Sequence, residues 1–403
     1  MAVSGLKIKF DAVRKNVGLY FHIPFCIRKC RYCDFYSVSG TDESFRDFYV
    51  RALILHIEEH KLQLAEYNVD TVYFGGGTPS LLTVSQISDI MKKIRSTFHV
   101  KRNCEVSMEV NPGTVNYEKL RSYRRAGVNR LSIGWQSISD KDLQVCGRVH
   151  TSRDNYLALD DAKRAGFKNI SVDIMFGLPG QTVTSVLGSI DMAIKMGASH
   201  ISLYGLKIEE GTPFDKLKNT LQLPDEDTER EMYFAGCEYM KSAGFIHYEI
   251  SNFARPGFES RHNLKYWNCD EYIGFGASAH SFFGNKRFNY KNNADLYIRN
   301  FTENYYGETI VDKCIDILPG AGMAEYVMLR FRLSEGIVSS EFKKRFGRTF
   351  ESIYLAKITP FLKSGHMIRT GKGYALTEQG MYVSNYILSR IVDFDMVIPG
   401  SDS

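Results

Sequence analysis

The chain has 403 residues, of which 44% are hydrophobic, 24% charged and 13% aromatic, and its net charge is +5. These proportions are typical of a folded globular protein and exclude disorder, collagen and coiled coil. The positive charge is spread along the chain, so we expect no nucleic-acid binding, which needs a concentrated basic surface. No apolar run reaches the roughly 18 residues of a membrane span, and no secretion signal is visible, which predicts a cytoplasmic protein.

Between Val17 and Ile208, short β-rich runs alternate six times with helical patterns. This alternation predicts a parallel sheet wrapped by helices. Because a complete eightfold barrel needs about 250 residues, six units predict an α/β fold with an incomplete (β/α)6 TIM-like barrel that is open on one side. The predicted strands are 17–23, 69–75, 104–110, 130–136, 169–176 and 200–208, and the predicted helices are 43–66, 84–98, 117–125, 154–165 and 183–196.

The rest of the chain follows a different pattern. A polar connection leads to a predicted helix at 228–243 and then to mixed segments rich in Tyr, Phe and Gly. Two helices and a hairpin with the turn Thr-Gly-Lys-Gly come last, which predicts a winged-helix-like α+β module. We therefore divide the chain into a short N-terminal extension (1–16), the partial barrel (17–210), a connecting region (211–315) and a C-terminal domain (316–403).

Three of the eight cysteines, Cys26, Cys30 and Cys33, follow the first predicted strand with the spacing C-x3-C-x2-C. On a helix this spacing would put three small side chains on one face. The segment directly follows Pro24, however, and loops at the carboxyl ends of parallel strands carry chemistry. Structural zinc needs four ligands, usually in two pairs, whereas an iron–sulfur cluster held by three thiolates keeps one iron open. We expect the other five cysteines to serve in packing.

The motif Tyr-x-His-Ile-Pro-Phe-Cys-x3-Cys-x2-Cys at the end of a first barrel strand resembles the radical S-adenosylmethionine (SAM) superfamily. More narrowly, it resembles the branch that contains oxygen-independent coproporphyrinogen III oxidase and the HemW haem chaperones. The resemblance implies a [4Fe–4S] cluster on Cys26, Cys30 and Cys33, with SAM at the open iron. It also implies an electron donor such as a flavodoxin, whose electron would cleave SAM to methionine and a 5′-deoxyadenosyl radical.

Further positions match the SAM pocket of the superfamily, in order along the repeats. Gly75-Gly76-Gly77-Thr78-Pro79 follows the second predicted strand, where absent side chains let the backbone approach a ligand. Each residue alone is more often an ordinary turn or strand-end residue, but together they recur at successive strand ends. The resemblance implies that SAM is bound by Tyr20, Gly76, Gly77, Thr78, Glu109, Gln136, Arg148 and Asp173.

Three features separate the chain from the oxidase pattern. Phe35 stands where the oxidase has a fourth cysteine, and only 19 residues precede Tyr20, whereas the oxidase has a longer extension. The sequence from Arg261 to Trp267 matches the H-N-x2-Y-W motif of the HemW branch, although alone it would be taken for a surface loop with an aromatic anchor. The resemblance implies haem binding, with His262 as the iron ligand and with Tyr266 and Trp267 beside the porphyrin.

Two functions follow from the resemblance. The first is a haem chaperone that delivers haem to a haem-accepting protein, and the second is an oxygen-independent coproporphyrinogen III oxidase that decarboxylates propionates oxidatively to give protoporphyrinogen IX. The absent fourth cysteine favours the chaperone and leaves open whether the chain is an enzyme. A peripheral membrane contact is compatible with either function, and the sequence does not indicate an oligomeric state.

Overall fold

A computed structural model describes residues 14–303, 305 and 307–392 of the chain. In its first half, six parallel strands alternate with helices, as the sequence predicts. The elements of this half are β1 (Lys15–Ile23), β2 (Phe25–Cys26), β3 (Val38–Ser39), α1 (Glu43–Glu59), β4 (Tyr67–Gly76), α2 (Val84–Thr97), β5 (His99–Val110), α3 (Tyr117–Ala126), β6 (Arg130–Gln136), α4 (Asp140–Val145), α5 (Ser152–Arg164), β7 (Asn169–Phe176), α6 (Val183–Lys195) and β8 (His200–Gly205).

The second half begins with short elements that extend the sheet and ends in a small α+β module. Its elements are α7 (Pro213–Leu217), α8 (Glu226–Ser242), β9 (Ile246–Glu249), β10 (Asn252–Ala254), α9 (Arg261–Trp267), β11 (Tyr272–Phe275), β12 (His280–Phe283), β13 (Lys286–Tyr290), α10 (Ala294–Thr302), β14 (Val311–Asp316), α11 (Pro319–Arg330), β15 (Ile337–Val338), α12 (Ser339–Phe346), α13 (Glu351–Lys363), β16 (Met367–Arg369), β17 (Gly373–Leu376), α14 (Glu378–Tyr382) and α15 (Ser384–Ile391).

Twelve strands form one sheet in the order β14-β13-β12-β11-β1-β4-β5-β6-β7-β8-β10-β9. Within the described residues this order has two ends, so the predicted incomplete barrel is confirmed. The sequence did not predict that β11 pairs in parallel with β1, in a register that places Gly18 opposite Tyr272. The strands of the connecting region therefore extend the barrel sheet at both of its edges, and apart from the pair β1–β11 the added pairs are antiparallel.

The parallel strands are buried because helices cover them, and β6 is buried at every position. Local signals fix several helix ends. Thr83 forms a capping box with Gln86 at the start of α2, and Gly166, just after α5, adopts the left-handed backbone (φ +91°) that ends helices. The first helix is shorter than predicted, since it ends at Glu59 and turns occupy 60–66. Among the described residues, none of the helices has both the length and the apolar character of a membrane span.

The C-terminal module has an apolar core of its own, centred on Phe342, Phe350 and Tyr374. Its three-stranded sheet has the order β15-β17-β16 and packs with helices, which confirms the winged-helix-like α+β prediction. Tyr272 and Phe282 of the large sheet belong to the same apolar cluster. The module is therefore packed onto the sheet extension through shared core residues.

The module offers a sharp test of its strand packing. A Cβ added at Gly373 would lie 2.1 Å from the carbonyl oxygen of Ile337, because β15 and β17 approach closely there. A Cβ at Gly371, in the adjoining turn, meets nothing within 4 Å. We expect Gly373→Ala to lower the unfolding free energy by about 2 kcal/mol or more, and Gly371→Ala to change it by less than about 1 kcal/mol. Urea unfolding of both variants measures the difference, and equal effects would contradict this packing.

Candidate functional site

The three predicted cluster cysteines lie on one loop at the carboxyl end of β1. The strand pair β2–β3 closes this loop, with Cys26 opposite Ser39. The three thiols are free and half-buried. Burial raises the pKa of Cys26, and it raises the pKa of Cys33 to about 11, with the neighbouring thiolates adding to both shifts. Three adjacent thiolates are therefore unfavourable without a cation, which is the chemistry that a metal cluster supplies.

A cavity of about 180 Å³ opens beside these cysteines, at the carboxyl ends of the parallel strands. The structure brings all but one of the sequence-predicted cluster and SAM residues to its wall, while Tyr20 lies next to it, stacked on Tyr73 with 6.2 Å between ring centroids. The predicted residues on the wall are Cys26, Cys30, Cys33, Gly76, Gly77, Thr78, Glu109, Gln136, Arg148 and Asp173. The sequence-predicted residues thus converge because successive strand ends meet at one edge of the sheet.

The glycine run forms a wall of bare backbone. A Cβ at Gly77 would lie 2.8 Å from the carbonyl oxygen of Phe25, and Gly76 has the left-handed φ of +107°. The Gly77 N–H donates to the carbonyl oxygen of Ile23 at 2.9 Å, which ties the run to the end of β1. Thr78 continues the wall, since its hydroxyl lies 3.6 Å from the Cys26 sulfur. Only glycine allows this close approach between the β4 end and the cysteine loop.

Two carboxylates from neighbouring strands face the cavity. Glu109 accepts hydrogen bonds from the Tyr73 hydroxyl at 2.9 Å and from the Gly76 N–H at 3.1 Å. Asp173 accepts from the Ser132 hydroxyl at 3.0 Å. Burial raises the pKa of Glu109 to about 7, with hydrogen bonds opposing and the Asp173 charge adding to the shift. The site can therefore hold or release a proton on Glu109 near neutral pH.

Arg148 places a cation on the same wall. Its Nη1 donates to Asn111 Oδ1 and its Nη2 donates to the Tyr32 hydroxyl, each at 2.9 Å. The buried Nε of Arg148 has no acceptor within the described part of the chain. An unpaired N–H on a buried guanidinium costs free energy, so the site fits an anionic group of a ligand, such as the carboxylate of SAM.

Asn111 and Tyr204 are among the residues of this wall that the sequence did not predict. The Tyr204 hydroxyl donates to Gln136 Oε1 at 2.6 Å, and Gln136 has a left-handed φ of +67°. Such backbone strain in a non-glycine residue is frequent at functional sites. Asn111 opens the Asn-Pro-Gly turn after β5, a strand-end signal that could have identified it. The end of β8 gave no comparable signal for Tyr204.

The predicted haem residues lie elsewhere, on α9 against β4 and β5. His262 is fully buried, and its two ring nitrogens bond to Thr71 Oγ1 and to the Tyr266 hydroxyl, each at 2.8 Å. Burial lowers the pKa of His262 to about 3, which keeps the imidazole neutral. Trp267 is half-buried, with the Arg332 guanidinium 5.7 Å from its ring centroid. Iron ligation by His262 stays a prediction. It requires that one ring nitrogen give up its hydrogen bond to Thr71 or Tyr266 and bind the iron instead.

The raised pKa of Glu109 predicts that the stability of the fold depends on pH. Because its pKa in the folded protein lies above its ordinary value, the folded state binds more protons, and the unfolding free energy falls as pH rises from about 4.5 to about 7. We expect Glu109→Gln to remove up to about 3 kcal/mol of this fall. Urea unfolding at pH 5 and pH 7.5 measures it, with Glu118→Gln on the exposed face of α3 as the control. Parallel pH profiles for wild type and Glu109→Gln would contradict the assignment.

Known proteins match this architecture along most of the chain. The model of the Radical SAM superfamily matches residues 20–193, and that of the HemN C-terminal domain matches residues 321–383. The "Heme chaperone HemW" of Bacillus subtilis (strain 168) is 34% identical over 376 residues, which covers 93% of this chain and 98% of that protein. The "Heme chaperone HemW" of Escherichia coli (strain K12) is 33% identical over 374 residues, with 92% and 97% covered.

A solved structure has the same fold. Coproporphyrinogen III oxidase (HemN) from Escherichia coli, described as a radical SAM enzyme, superposes with a TM-score of 0.82 at 22% identity and covers 94% of this chain and 91% of its own. At that identity the likeness shows the fold alone. Membership in the superfamily confirms the predicted cofactors, a [4Fe–4S] cluster and SAM. The similarity over nearly the full length, at more than 30% identity, places the chain in the HemW family of the radical SAM superfamily.

Proposed function

We propose that the chain binds haem and delivers it to haem-dependent proteins. The observation that carries this proposal is the similarity of more than nine-tenths of the chain to proteins named heme chaperones. Phe35, which stands in place of the fourth cysteine of the oxidase pattern, supports it, because a phenyl ring has no donor atom that could bind a metal. Phe35 is 64% exposed beside the cysteine loop.

The cavity residues have distinct roles in this proposal. Cys26, Cys30 and Cys33 hold the [4Fe–4S] cluster, and the unpaired Arg148 Nε donates to the SAM carboxylate. Glu109 and Asp173 accept hydrogen bonds from the polar groups of the nucleotide. When bound, the reduced cluster supplies an electron to the sulfonium of SAM. A one-electron donor such as a flavodoxin would reduce the cluster. The partial burial of the cysteine loop limits the access of water to the site.

Haem has room beside α9. An open cavity of about 690 Å³ lies between α9 and the C-terminal module, and Leu264 and Asn268 line it from the α9 side. Lys344 and Arg345 line the opposite side and provide cations for the two propionates of haem. The side chains of His262, Tyr266 and Trp267 do not line this cavity, and its wall also carries four carboxylates, those of Glu259, Asp270, Glu335 and Glu341. The cluster and a haem bound here would lie in separate cavities.

The cluster and SAM assignments predict that one set of substitutions abolishes cluster assembly and that another weakens only the binding of SAM. Replacing any one of Cys26, Cys30 and Cys33 by Ala should abolish cluster reconstitution, because three thiolates are needed to hold it. Arg148→Ala should keep the cluster but weaken SAM binding about 10- to 100-fold, the value of a charge-assisted hydrogen bond. Iron and sulfide analysis and EPR of the reduced protein with and without SAM measure both. Cys314→Ala and Arg153→Ala, both on the surface, are the controls, and an EPR signal of Arg148→Ala that responds to SAM as wild type does would contradict the role of Arg148.

The haem proposal predicts a Soret band on titration with haem, and its transfer to an apo-acceptor added afterwards. If His262 is the iron ligand, His262→Ala should shift or remove this band. Tyr266→Phe should strengthen binding, because it frees the ring nitrogen that bonds the Tyr266 hydroxyl. His56→Ala is a matched control, since His56 is also buried and its two ring nitrogens bond to Tyr297 and Tyr290, which do not line the proposed haem cavity.

Two results would overturn parts of this proposal. An unchanged Soret band in His262→Ala would remove His262 as the ligand while leaving haem binding intact. Formation of protoporphyrinogen from coproporphyrinogen in anaerobic incubations with SAM and reductant would show that the chain acts as the oxidase and would contradict the chaperone function.

A further inference from the structure

Three potential metal ligands meet at the junction between the barrel and the C-terminal module, apart from the cavity described above. Cys237 comes from α8, His247 from β9 and Glu378 from the first residue of α14. One sulfur, one nitrogen and one oxygen of these side chains all lie within 4.8 Å of one another. His247 Nδ1 and Glu378 Oε1 are 3.7 Å apart.

The surroundings hold these side chains in place. Cys237 is fully buried and His247 is 7% exposed, and the His247 ring stacks on Phe253 with centroids 4.1 Å apart. Glu378 is half-buried and also forms an ion pair with Lys241. The hydroxyl of Tyr233 is buried and lies beside the Cys237 thiol, with which it can share a hydrogen bond.

The hydrogen bonding of His247 suits a metal ligand. Its Nε2 lies 3.4 Å from the carbonyl oxygen of Ile250, to which it can donate. That bond would fix the tautomer in which Nδ1 carries the lone pair and faces Cys237 and Glu378, as in histidines that bind zinc. Sulfur, nitrogen and carboxylate ligands together are typical of zinc.

We propose that Cys237, His247 and Glu378 bind one zinc ion that clamps the C-terminal module to the barrel. On binding, the Cys237 thiol loses its proton to solvent and a zinc–sulfur bond forms, with no change in oxidation state. Tetrahedral zinc needs ligand atoms roughly 3.3–3.8 Å apart, so the three side chains contract slightly around the ion. A water molecule, hydrogen-bonded to Tyr233, takes the fourth position. Lys241 pairs with Glu378 Oε1, the oxygen that faces His247, and moves to the other oxygen, Oε2, when the ion binds.

The position of the site gives it a structural consequence. α14 belongs to the module, whereas α8 and β9 belong to the barrel side, and Tyr233 of α8 packs on Tyr382 of α14 with ring centroids 5.2 Å apart. A metal bond across this contact ties the two parts together in addition to their apolar packing. We therefore expect zinc to protect the segment around α14 from opening.

The first experiment counts metal. Protein reconstituted with iron and sulfide, so that Cys26, Cys30 and Cys33 are occupied, is saturated with Zn²⁺, desalted and analysed by mass spectrometry of the elements. We expect one zinc per chain in wild type and at least a tenfold loss in Cys237→Ser and in His247→Gln. Cys269→Ser, which changes another buried cysteine, is the matched control and should retain one zinc. No bound zinc in wild type, or full retention in Cys237→Ser, would overturn the proposal.

The second experiment reports geometry and does not depend on the folding of the Cys237 variant. Co²⁺ added to a Cys26→Ala, Cys30→Ala, Cys33→Ala background should give the intense visible bands of tetrahedral cobalt and a thiolate charge-transfer band. Glu378→Gln, a half-buried and nearly isosteric change, should weaken both at least tenfold. Hydrogen exchange should show slower opening of residues 377–391 with Zn²⁺ than with EDTA. Octahedral cobalt spectra, or exchange unaffected by zinc, would show that the three side chains form an ion-pair cluster with Lys241 instead.

Discussion

Ionisable side chains can be buried at the end of a parallel sheet only where something replaces the water that they lose. At the carboxyl edge of this sheet, hydroxyl groups and a backbone N–H replace it for Glu109 and Asp173. The replacement is incomplete for Arg148, whose Nε has no acceptor among the described residues. Burial also disfavours the thiolate forms of Cys26 and Cys33, whose pKa values are raised. The edge is thus complementary to a ligand that brings an anion to Arg148 and a cationic metal to the thiols.

The H-N-x2-Y-W motif has a structural role that its sequence did not suggest. Glu105 of β5 accepts the N–H groups of Arg261 and His262, each at 3.1 Å, and so fixes the start of α9 against the sheet. Tyr73 stacks on His262 with ring centroids 5.2 Å apart, and the same Tyr73 donates to Glu109 in the cavity. Contacts between His262, Tyr73 and Glu109 therefore join the motif to the SAM cavity.

Much of the barrel and of its cavity could be predicted from the sequence. The strands at 130–136 and 169–176 have the predicted bounds, since apolar runs between turn signals fix them locally. The resemblance to the superfamily identified the site residues, and they meet in one cavity because the ends of parallel strands converge at one edge of the sheet. The burial of His262 could not be predicted, because it depends on Thr71 and Glu105, about 190 and 157 residues away in sequence. The four-residue strand β11 and the six-residue helix α4 were missed because such short elements carry little periodicity.

The parallel pairing of β11 with β1 has a consequence for synthesis on the ribosome. The first strand can pair with β4 as soon as about residue 76 has emerged, but its other edge pairs only with residues 272–275. For most of translation, the nascent chain therefore carries an uncovered strand edge next to the cysteine loop, a surface that promotes association between chains. Assembly of the metal cluster before residue 275 is made would take place on an unfinished sheet.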